Sequence, residues 1–475
     1  MMTTPVRFHL RSLLNASITC LLVLCLSDCA VGPNYQRAAV AVPPGYRGIT
    51  QPPAAQADAS SVGDEQWWNV FQDKTLQDLI RTALAQNYDL RIAASRVLQS
   101  QAQLGIARAD QFPSVSAGGN ITSQRSPSIG PIPSYQTTLG QVTAAASWIP
   151  DFWGKYRRAA EAARAQLLAS QWAQRAVTAT LVANVASAYF QIRALDLQLE
   201  ISQRTLASRK ESLQLTRTLV DHGFDTQSDL RQAEELVYTA AAQVPDLERQ
   251  IEQQENSLSI LLGNNPGAIP RGLKLTEQPH PPEVPAGLPS ALLARRPDIQ
   301  EAEENLIAAN ARIGVARAAY FPQISLTGSA GYESSALESL FTGPATLWSI
   351  GGTLTQPIFQ GGRLKSNVRL AEAQHEEALL VYRQTIQDAF RDVSNALVAY
   401  RKYREFRLQQ EHLTEAAQDA ARLSEIRFQA GTVGYLEVLT NQTNYFSDQL
   451  TLAQAQLNEL QALVQLYQVL GGGWR

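Results

Sequence analysis

The fold is decided by a segment that occurs twice: DLRIAASRVLQSQAQLGIARADQFPSVSAGG at residues 89–119 and DIQEAEENLIAANARIGVARAAYFPQISLTG at residues 298–328. The two copies align without a gap at an offset of 209 residues. They share several distinctive positions, namely Gly105 with Gly314, Arg108 with Arg317, and Phe112-Pro113 with Phe321-Pro322. Because chance rarely places such a set at one offset, the sequence indicates an internal repeat.

The match continues along the chain. PDFWGKYRRA from Pro150 aligns with PIFQGGRLKS from Pro357, and VDHGFDTQSDL from Val220 aligns with FQAGTVGYLEV from Phe428. These offsets, 207 and 208 residues, barely differ from the first. Each half is therefore predicted to have the same order: helix, strand, loop, strand, very long helix, tight turn, helix. We assign the first repeat to residues 64–262, a Pro-rich linker to 263–290 and the second repeat to 291–475.

The very long helix of the first repeat carries a seven-residue apolar repeat at Val185, Ile192, Leu199, Leu206, Leu213 and Val220. A companion seam at Leu181, Ala188 and Leu195 fades into Ser202, Arg209 and Thr216. After the turn the seven-residue step resumes at Leu230, Val237, Val244, Ile251 and Leu258, and the second repeat has a less regular version that ends at Leu436, Thr443, Leu450, Leu457 and Val464. A strict heptad predicts a coiled-coil hairpin, with a first helix about 100 Å long at 1.5 Å per residue.

Charged residues are missing from four segments, two in each repeat, although they are dense elsewhere. Inside these segments two kinds of residue alternate, as in Ile324, Leu326, Ala330 and Tyr332 against Ser325, Thr327, Ser329 and Gly331. Alternation over about 9 to 11 residues is typical of a barrel strand with one lipid face and one lumen face. Strand pairs are therefore predicted at about 113–149 and 322–357.

Four strands are too few to close a barrel, because the smallest outer-membrane barrels use about eight. An open sheet edge in lipid would leave backbone groups unpaired, at a cost of several kcal/mol each. The chain is therefore predicted to assemble with copies of itself. Two copies would supply eight strands and three would supply twelve, and the residues themselves leave both numbers open.

The first 28 residues are predicted to be a signal peptide, because Arg7 and Arg11 precede an apolar stretch that ends in LSDCA. The form Leu-Ser-Asp-Cys predicts lipidation of Cys29, although Asp28 stands where Gly or Ala is usual. An ordinary secretory signal is the alternative. Residues 29–63 are rich in Pro, Ala and Gly and are predicted to form an N-terminal tether.

Composition argues against several classes of function. The formal net charge is −3, so no global field indicates nucleic-acid binding. All three cysteines lie within the first 29 residues, and the five histidines are scattered without ligand spacing, at His9, His222, His280, His375 and His412. No phosphate-binding glycine loop occurs. We therefore predict no enzyme, no metal and no cofactor other than a covalent lipid on Cys29.

A protein of another class would share some of these features. A lipid-anchored periplasmic coiled-coil adaptor or scaffold would also have long heptads and a lipidated cysteine. It would not explain four charge-free, alternating segments at matched places in two repeats.

Several long, co-linear motifs resemble one family: CAVGPNY, WIPDFWGK, ARRPDIQEAEENLIAANARIGVARAAYFPQISL, LTQPIFQGGRL, RFQAGTVGYLEVL and LGGGW. They resemble the outer-membrane factors of tripartite efflux systems, the TolC-like channels, and within them the NodT/OprM lipoprotein branch. The resemblance covers nearly the whole chain.

The resemblance implies a mainly α protein with a membrane β-barrel. It implies a homotrimer whose twelve-stranded barrel, four strands per chain, continues as a long α-helical coiled-coil barrel across the periplasm. The Pro-rich linker would belong to an equatorial region around that tunnel. The implied partners are outer-membrane lipid, a periplasmic adaptor (membrane fusion) protein and an inner-membrane pump of the RND class. The implied function is passive conduction of drugs or other small molecules delivered by the pump.

The resemblance also implies site residues at the helical tips. The adaptor-contact turns would be formed by Gly223, Phe224 and Asp225 and by Gly431, Thr432 and Val433. The family narrows its pore with a leucine and an aspartate one helical turn apart, which correspond here to Leu436 and Thr440. Thr440 departs from that pattern because it carries no charge, and Glu437 is the candidate to supply one.

Two of these tip residues have simpler interpretations. Leu436 fits the heptad as a seam residue, and an apolar heptad position usually has that meaning. Asp229 or Ser228 is predicted to cap the returning helix.

Overall fold

The computed structural model describes residues 30–47, 61–279 and 289–474. The predicted signal peptide and the predicted lipid site at Cys29 lie outside the described residues, as do parts of the tether and of the Pro-rich linker. None of the helices in the described part of the chain is long and apolar enough to cross a membrane.

The first half of the chain has five α-helices and two strands in the described residues: α1 Trp67–Val70, α2 Lys74–Gln86, α3 Tyr88–Ala109, β1 Ser114–Ser126, β2 Tyr135–Trp148, α4 Lys155–Asp221 and α5 Gln227–Leu261. The described second half has α6 Pro289–Arg295, α7 Pro297–Ala318, β3 Gln323–Ser334, β4 Thr346–Thr355, α8 Arg363–Gln429 and α9 Tyr435–Val469. Each half ends in a hairpin of a 67-residue helix and a 35-residue helix. The chain is mainly helical, in the order that the repeat predicts.

The chain divides into two compact units that cut across the sequence repeats. Unit 1 contains the described residues 30–39 together with Val97–Ser170 and Ala302–Tyr382. Unit 2 contains the described parts of Val40–Arg96, Gln171–Glu301 and Arg383–Arg475. Each unit draws on both repeats, because the strands of both halves pair with each other and so do the apolar faces of the long hairpins.

The start of the predicted tether is built into unit 1. Asn34 accepts a 2.7 Å hydrogen bond from Arg158 on α4, and Arg37 forms a 2.6 Å ion pair with Glu303 on α7. Gly32 lies against the backbone of Gly314, where an added Cβ would come within 2.5 Å of the Gly314 Cα. Residues 30–37 are therefore held by specific contacts with both repeats.

The main core of unit 2 joins helices from both repeats. Its buried side chains are Leu76 and Ile80 on α2, Val185, Tyr189 and Ile192 on α4, Leu258 on α5, and Leu457 and Val464 on α9. Much of the remaining packing uses alanine, which lets helix axes approach closely. The N-terminal heptad residues of α4, Val185 and Ile192, thus lie in this core.

Toward the turn, the companion seam of α4 becomes polar but stays buried. Ser202, Arg209 and Thr216 are each 3% exposed or less. The Arg209 guanidinium donates a 2.8 Å hydrogen bond to the Leu236 carbonyl and lies 5.0 Å from the centre of the Phe446 ring. Desolvation lowers the pKa of Arg209 below its ordinary value. The buried companion seam of α4 therefore continues through polar residues after its last apolar residue, Leu195.

A buried carboxylate ties the Pro-rich linker to the helices of unit 2. Asp73 caps α2 by accepting from the Thr75 amide, and it also accepts from the Tyr189 hydroxyl at 2.7 Å. From the linker, the Leu273 amide and the Gln278 side chain donate to it at 2.9 and 3.0 Å. The carboxylate thus satisfies donors from α2, α4 and the linker at one point.

Replacing this carboxylate should destabilise unit 2. We expect Asp73→Ala to cost about 2–4 kcal/mol, because several buried donors lose their acceptor. The measurement is the loss of helical circular dichroism on heating in detergent. Asp78→Ala is the matched control, since its ion pair with Arg81 is exposed and contributes less than about 1 kcal/mol. Equal melting of the two variants would contradict the assignment.

Candidate functional site

The four strands form one antiparallel sheet in unit 1, in the order β1-β2-β3-β4. Its register aligns Val115 with Ala146, Ala146 with Gly328, and Gly328 with Ile350. Directly paired residues lie on the same face of a sheet. The same face therefore also carries Ala117, Ile121, Val142, Ala144, Trp148, Ile324, Leu326, Ala330, Tyr332, Trp348 and Leu354. Ser123 and Arg125 extend it toward the β1–β2 loop.

The opposite face carries mostly small and polar residues, with Tyr135, Leu139 and Leu347 as exceptions. One row across it consists of Ser116, Ala145, Ser329 and Ser349. The hydroxyls of Ser329 and Ser349 lie 2.8 Å apart and share a hydrogen bond. Both faces are largely exposed in the single chain, with Ile350 83% exposed. An exposed apolar face opposite a polar face is typical of strands that separate lipid from water.

The two tip turns, residues 222–226 and 430–434, have the same backbone geometry. Gly223 and Gly431 have φ values of +75° and +70°, which residues other than glycine rarely adopt. The Phe224 amide donates to the Leu219 carbonyl and the Thr432 amide to the Arg427 carbonyl, at 2.8 and 3.0 Å. These bonds close each long helix with a Schellman-type cap.

The first turn is stabilised by a cap that differs from the sequence prediction. The predicted caps, Asp229 and Ser228, lie inside α5, and the capping residue is Thr226, whose hydroxyl accepts from the Asp229 amide at 3.2 Å. The same hydroxyl donates to the Asp229 carboxylate. This hydrogen bond lowers the pKa of Asp229, while partial burial raises the pKa of Asp225. The sequence did indicate this cap, because a threonine three residues before an acidic residue has the spacing of a capping box.

The predicted adaptor-contact residues remain accessible at the turns. Phe224 is 81% exposed, Gly223, Gly431 and Thr432 are exposed, and Asp225 and Val433 are half-buried. The structure places the two turns side by side, because Ala233 on α5 packs with Tyr435, Val438 and Leu439 on α9. The six predicted residues therefore form one surface at the end of unit 2.

The predicted gate residues lie on an exposed face of α9. Leu436 is 66% exposed in the single chain, so it does not pack in the seam of its own hairpin. The Thr440 hydroxyl donates to the Leu436 carbonyl at 2.9 Å, which places the two residues one turn apart on one face. Glu437 accepts a 2.6 Å hydrogen bond from Arg427, so its charge is paired within the tip.

The seam of α9 is displaced for a local reason. The side chain of Tyr435 is buried against Phe428, with ring centres 5.3 Å apart, and Val438 and Leu439 fill the core beside it. Because Tyr435, Val438 and Leu439 occupy the buried face of α9, Leu436 and Thr443 lie on its exposed face. The heptad pattern missed this because an aromatic side chain next to the turn determines which face of the helix is buried.

Comparison with known proteins agrees with this architecture. The sequence profile described as outer membrane efflux protein matches residues 79–264 and 288–472. The chain is 38% identical over 473 residues to the probable efflux pump outer membrane protein TtgC of Pseudomonas putida, covering 98% of this chain and 96% of that protein. It is 33% identical over 459 residues to the cation efflux system protein CusC of Escherichia coli, covering 95% and 97%.

A solved structure shows the same fold. The open state of the MtrE outer membrane channel of Neisseria gonorrhoeae superposes with a TM-score of 0.86 at 33% identity. The match covers 94% of this chain and 99% of that one.

The sheet and the two long hairpins define a channel protein of the outer membrane. The chain belongs to the outer membrane efflux protein family. It is located in the outer membrane and acts there in efflux, which favours the channel over the periplasmic adaptor alternative. The relatives are transport proteins and not enzymes.

Loss of the Thr226 hydroxyl should loosen the first tip turn. We expect Thr226→Ala to cost about 1 kcal/mol locally, so that the amides of residues 227–231 exchange hydrogen about fivefold faster. Thr226→Ser should preserve the protection. Thr239→Ala, which removes an exposed mid-helix hydroxyl bonded to the Glu235 carbonyl, is the control. Identical exchange in Thr226→Ala and Thr239→Ala would refute the capping role.

Proposed function

We propose that three copies of this chain close a twelve-stranded outer-membrane barrel that continues as a helical tunnel. The observation that carries this proposal is the four-stranded sheet with one apolar face. Among the described strands, β1 pairs only with β2 and β4 only with β3, so the sheet has two open edges. In lipid each unpaired backbone group costs several kcal/mol, so these edges need partners from other copies.

The directions of the strands support closure by copies of the same chain. All three pairings are antiparallel, so β1 and β4 run in opposite directions. The edge strand β4 of one copy can therefore pair antiparallel with β1 of the next, and the ring repeats this contact until it closes. The number three rests on the resemblance to the TolC-like channels.

We propose further that the barrel conducts small molecules passively, from an inner-membrane pump of the RND class through a periplasmic adaptor. Relatives are named for toluene, antibiotic and cation efflux. The two tip turns, with exposed Phe224 and Thr432, would contact the adaptor. Leu436 and Thr440, exposed on one face of α9, would line the narrow end of the tunnel. A covalent lipid on Cys29 would anchor the chain to the membrane.

Conduction can be measured directly. Purified protein added to a planar bilayer should give stable single-channel currents, and deletion of the gene should increase sensitivity to at least one toxic compound. Wild-type protein supplied from a plasmid should restore resistance. Unchanged sensitivity to every compound, together with no conductance, would exclude the proposed function.

The ion selectivity of the proposed channel should depend on the charge at residue 440. We expect Thr440→Asp to raise the ratio of cation to anion permeability, because a ring of carboxylates at a narrow point attracts cations. The reversal potential across a bilayer in a KCl gradient measures this ratio. Thr239→Asp, which adds the same charge on α5 away from the turn, should have little effect. A reversal potential unchanged by Thr440→Asp would place Thr440 outside the constriction.

The lipid can be tested with one substitution. Cys29→Ser should abolish incorporation of radioactive palmitate, while the barrel should keep the protein in the outer-membrane fraction. Label retained by Cys29→Ser would show that the lipid is attached elsewhere, and a wild-type protein that incorporates no label would show that the signal is of the ordinary secretory kind.

A further inference from the structure

Four tryptophans of unit 2 form two edge-to-face pairs, away from the sheet and from the tip turns. They are Trp67 and Trp68 in α1, Trp172 in α4 and Trp474 near the end of the chain. The Trp67 and Trp68 ring centres lie 5.2 Å apart, and those of Trp172 and Trp474 lie 5.8 Å apart. Rings from three distant parts of the sequence are thus brought into one unit.

A cleft of about 500 Å³ joins the two pairs. Its lining includes three of the indoles and several polar groups, namely Trp67, Trp68, Trp474, Arg81, Thr178 and the backbone of Gly473. The cleft is accessible from solvent, because Trp68 is 41% exposed and Arg81 is exposed. A concave surface with aromatic walls and a few polar groups is the usual form of a site for a small ligand or a single residue of a polymer.

Glycines hold the last indole in place. Gly473 has a φ of +93°, and an added Cβ there would lie 3.3 Å from the Ala179 Cα on α4. An added Cβ on Gly472 would lie 2.4 Å from the Tyr467 ring on α9. The end of the chain therefore packs closely against both helices. A ring fixed in this way loses little conformational entropy when a ligand binds to it.

An arginine beside the cleft lacks a counter-ion. The Arg175 guanidinium lies 4.1 Å from the centre of the Trp172 ring and 5.0 Å from that of Trp474. Within the described parts of the chain, no carboxylate is at ion-pair distance from Arg175. Arg81, in contrast, forms a 2.7 Å ion pair with Asp78. A guanidinium held between two rings and left without a counter-ion suits an anionic ligand.

Flat rings, an unpaired cation and a hydroxyl together fit a carbohydrate that bears carboxylates. A sugar ring has a face of C–H groups, which packs on an indole because the face of the indole is electron-rich. The sugar hydroxyls need hydrogen-bond partners, which Arg81 and Thr178 can provide. Proline-rich peptides also pack into aromatic clefts, but proline carries no charge that could pair with Arg175.

We propose that this cleft binds a glycan strand of the cell wall. The bacterial cell wall is a polymer of N-acetylated sugars that carry lactyl groups and peptides with free carboxylates. One sugar ring packs on Trp68, and a carboxylate pairs with Arg175. The presence of the cleft in the periplasm rests on the proposed helical tunnel, whereas wall binding is separate from conduction. The contact holds the channel at a fixed place in the wall.

Sedimentation with purified, protein-free cell-wall sacculi tests the proposal, using the full-length protein in detergent. The wild-type protein should sediment with the sacculi. Trp68→Ala and Arg175→Gln should each weaken the apparent affinity about fivefold, because each loses one aromatic or ionic contact. Trp68→Phe should keep most of the binding.

Two matched controls lie on α5. Tyr238→Ala removes an aromatic ring that is 70% exposed, and Arg231→Gln removes an exposed guanidinium that is paired with Glu234. Both should sediment as the wild-type protein does. Wild-type protein that stays in solution, or equal sedimentation of Trp68→Ala and Tyr238→Ala, overturns the proposal.

Competition with soluble sugars tests the role of the cation. The disaccharide of N-acetylglucosamine and N-acetylmuramic acid has a carboxylate, so it should displace the wild-type protein at a lower concentration than neutral chitobiose does. Arg175→Gln should remove this difference. Equal displacement of the wild-type protein by both sugars overturns the pairing with Arg175, and displacement by a polyproline peptide but by neither sugar assigns the cleft to a peptide instead.

The same preparations separate this proposal from the proposed function. Each variant should keep the melting temperature and the single-channel conductance of the wild-type protein, because Trp68 and Arg175 lie outside the sheet and the tip turns. A protein that conducts but does not bind sacculi refutes wall binding alone. A protein that binds sacculi but does not conduct contradicts the proposed function and leaves wall binding in place.

Discussion

Pairing of backbone hydrogen-bond groups at the edges of the sheet is the constraint on which the rest of this structure depends. Four antiparallel strands leave β1 and β4 with one open edge each, and a lipid environment offers no water to satisfy them. The proposed closure by further copies would give both edges the partners that they lack within the described strands.

The helical unit is held together differently. Its main core has large apolar side chains around Tyr189, whereas the seam toward the turn is built from Ser202, Arg209 and Thr216. Buried polar groups usually have partners, and one terminal nitrogen of Arg209 bonds the Leu236 carbonyl while the guanidinium lies on the Phe446 ring. The Arg209 Nε and the Ser202 hydroxyl have no hydrogen-bond partner among the described residues of the single chain.

Several elements followed from the sequence with little error. Charge-free alternation predicted strands at about 113–149 and 322–357, and the sheet has strands over Ser114–Trp148 and Gln323–Thr355 interrupted by loops. Heptads and glycines likewise located the long hairpins and both turns. The predictions failed where a local pattern competed with a tertiary contact. Leu436 left the seam because Tyr435 is buried, and Thr226 replaced Asp229 as the cap.

The sequence by itself determined the repeat, the strands and the hairpins, because period-two and period-seven patterns are properties of neighbouring residues. Only the tertiary structure decided how the repeats combine. It paired β2 with β3 across the halves, mixed both repeats in each compact unit, and joined Asp73 to the linker 200 residues away through Leu273. Contacts between distant residues depend on packing and register, which no local pattern encodes.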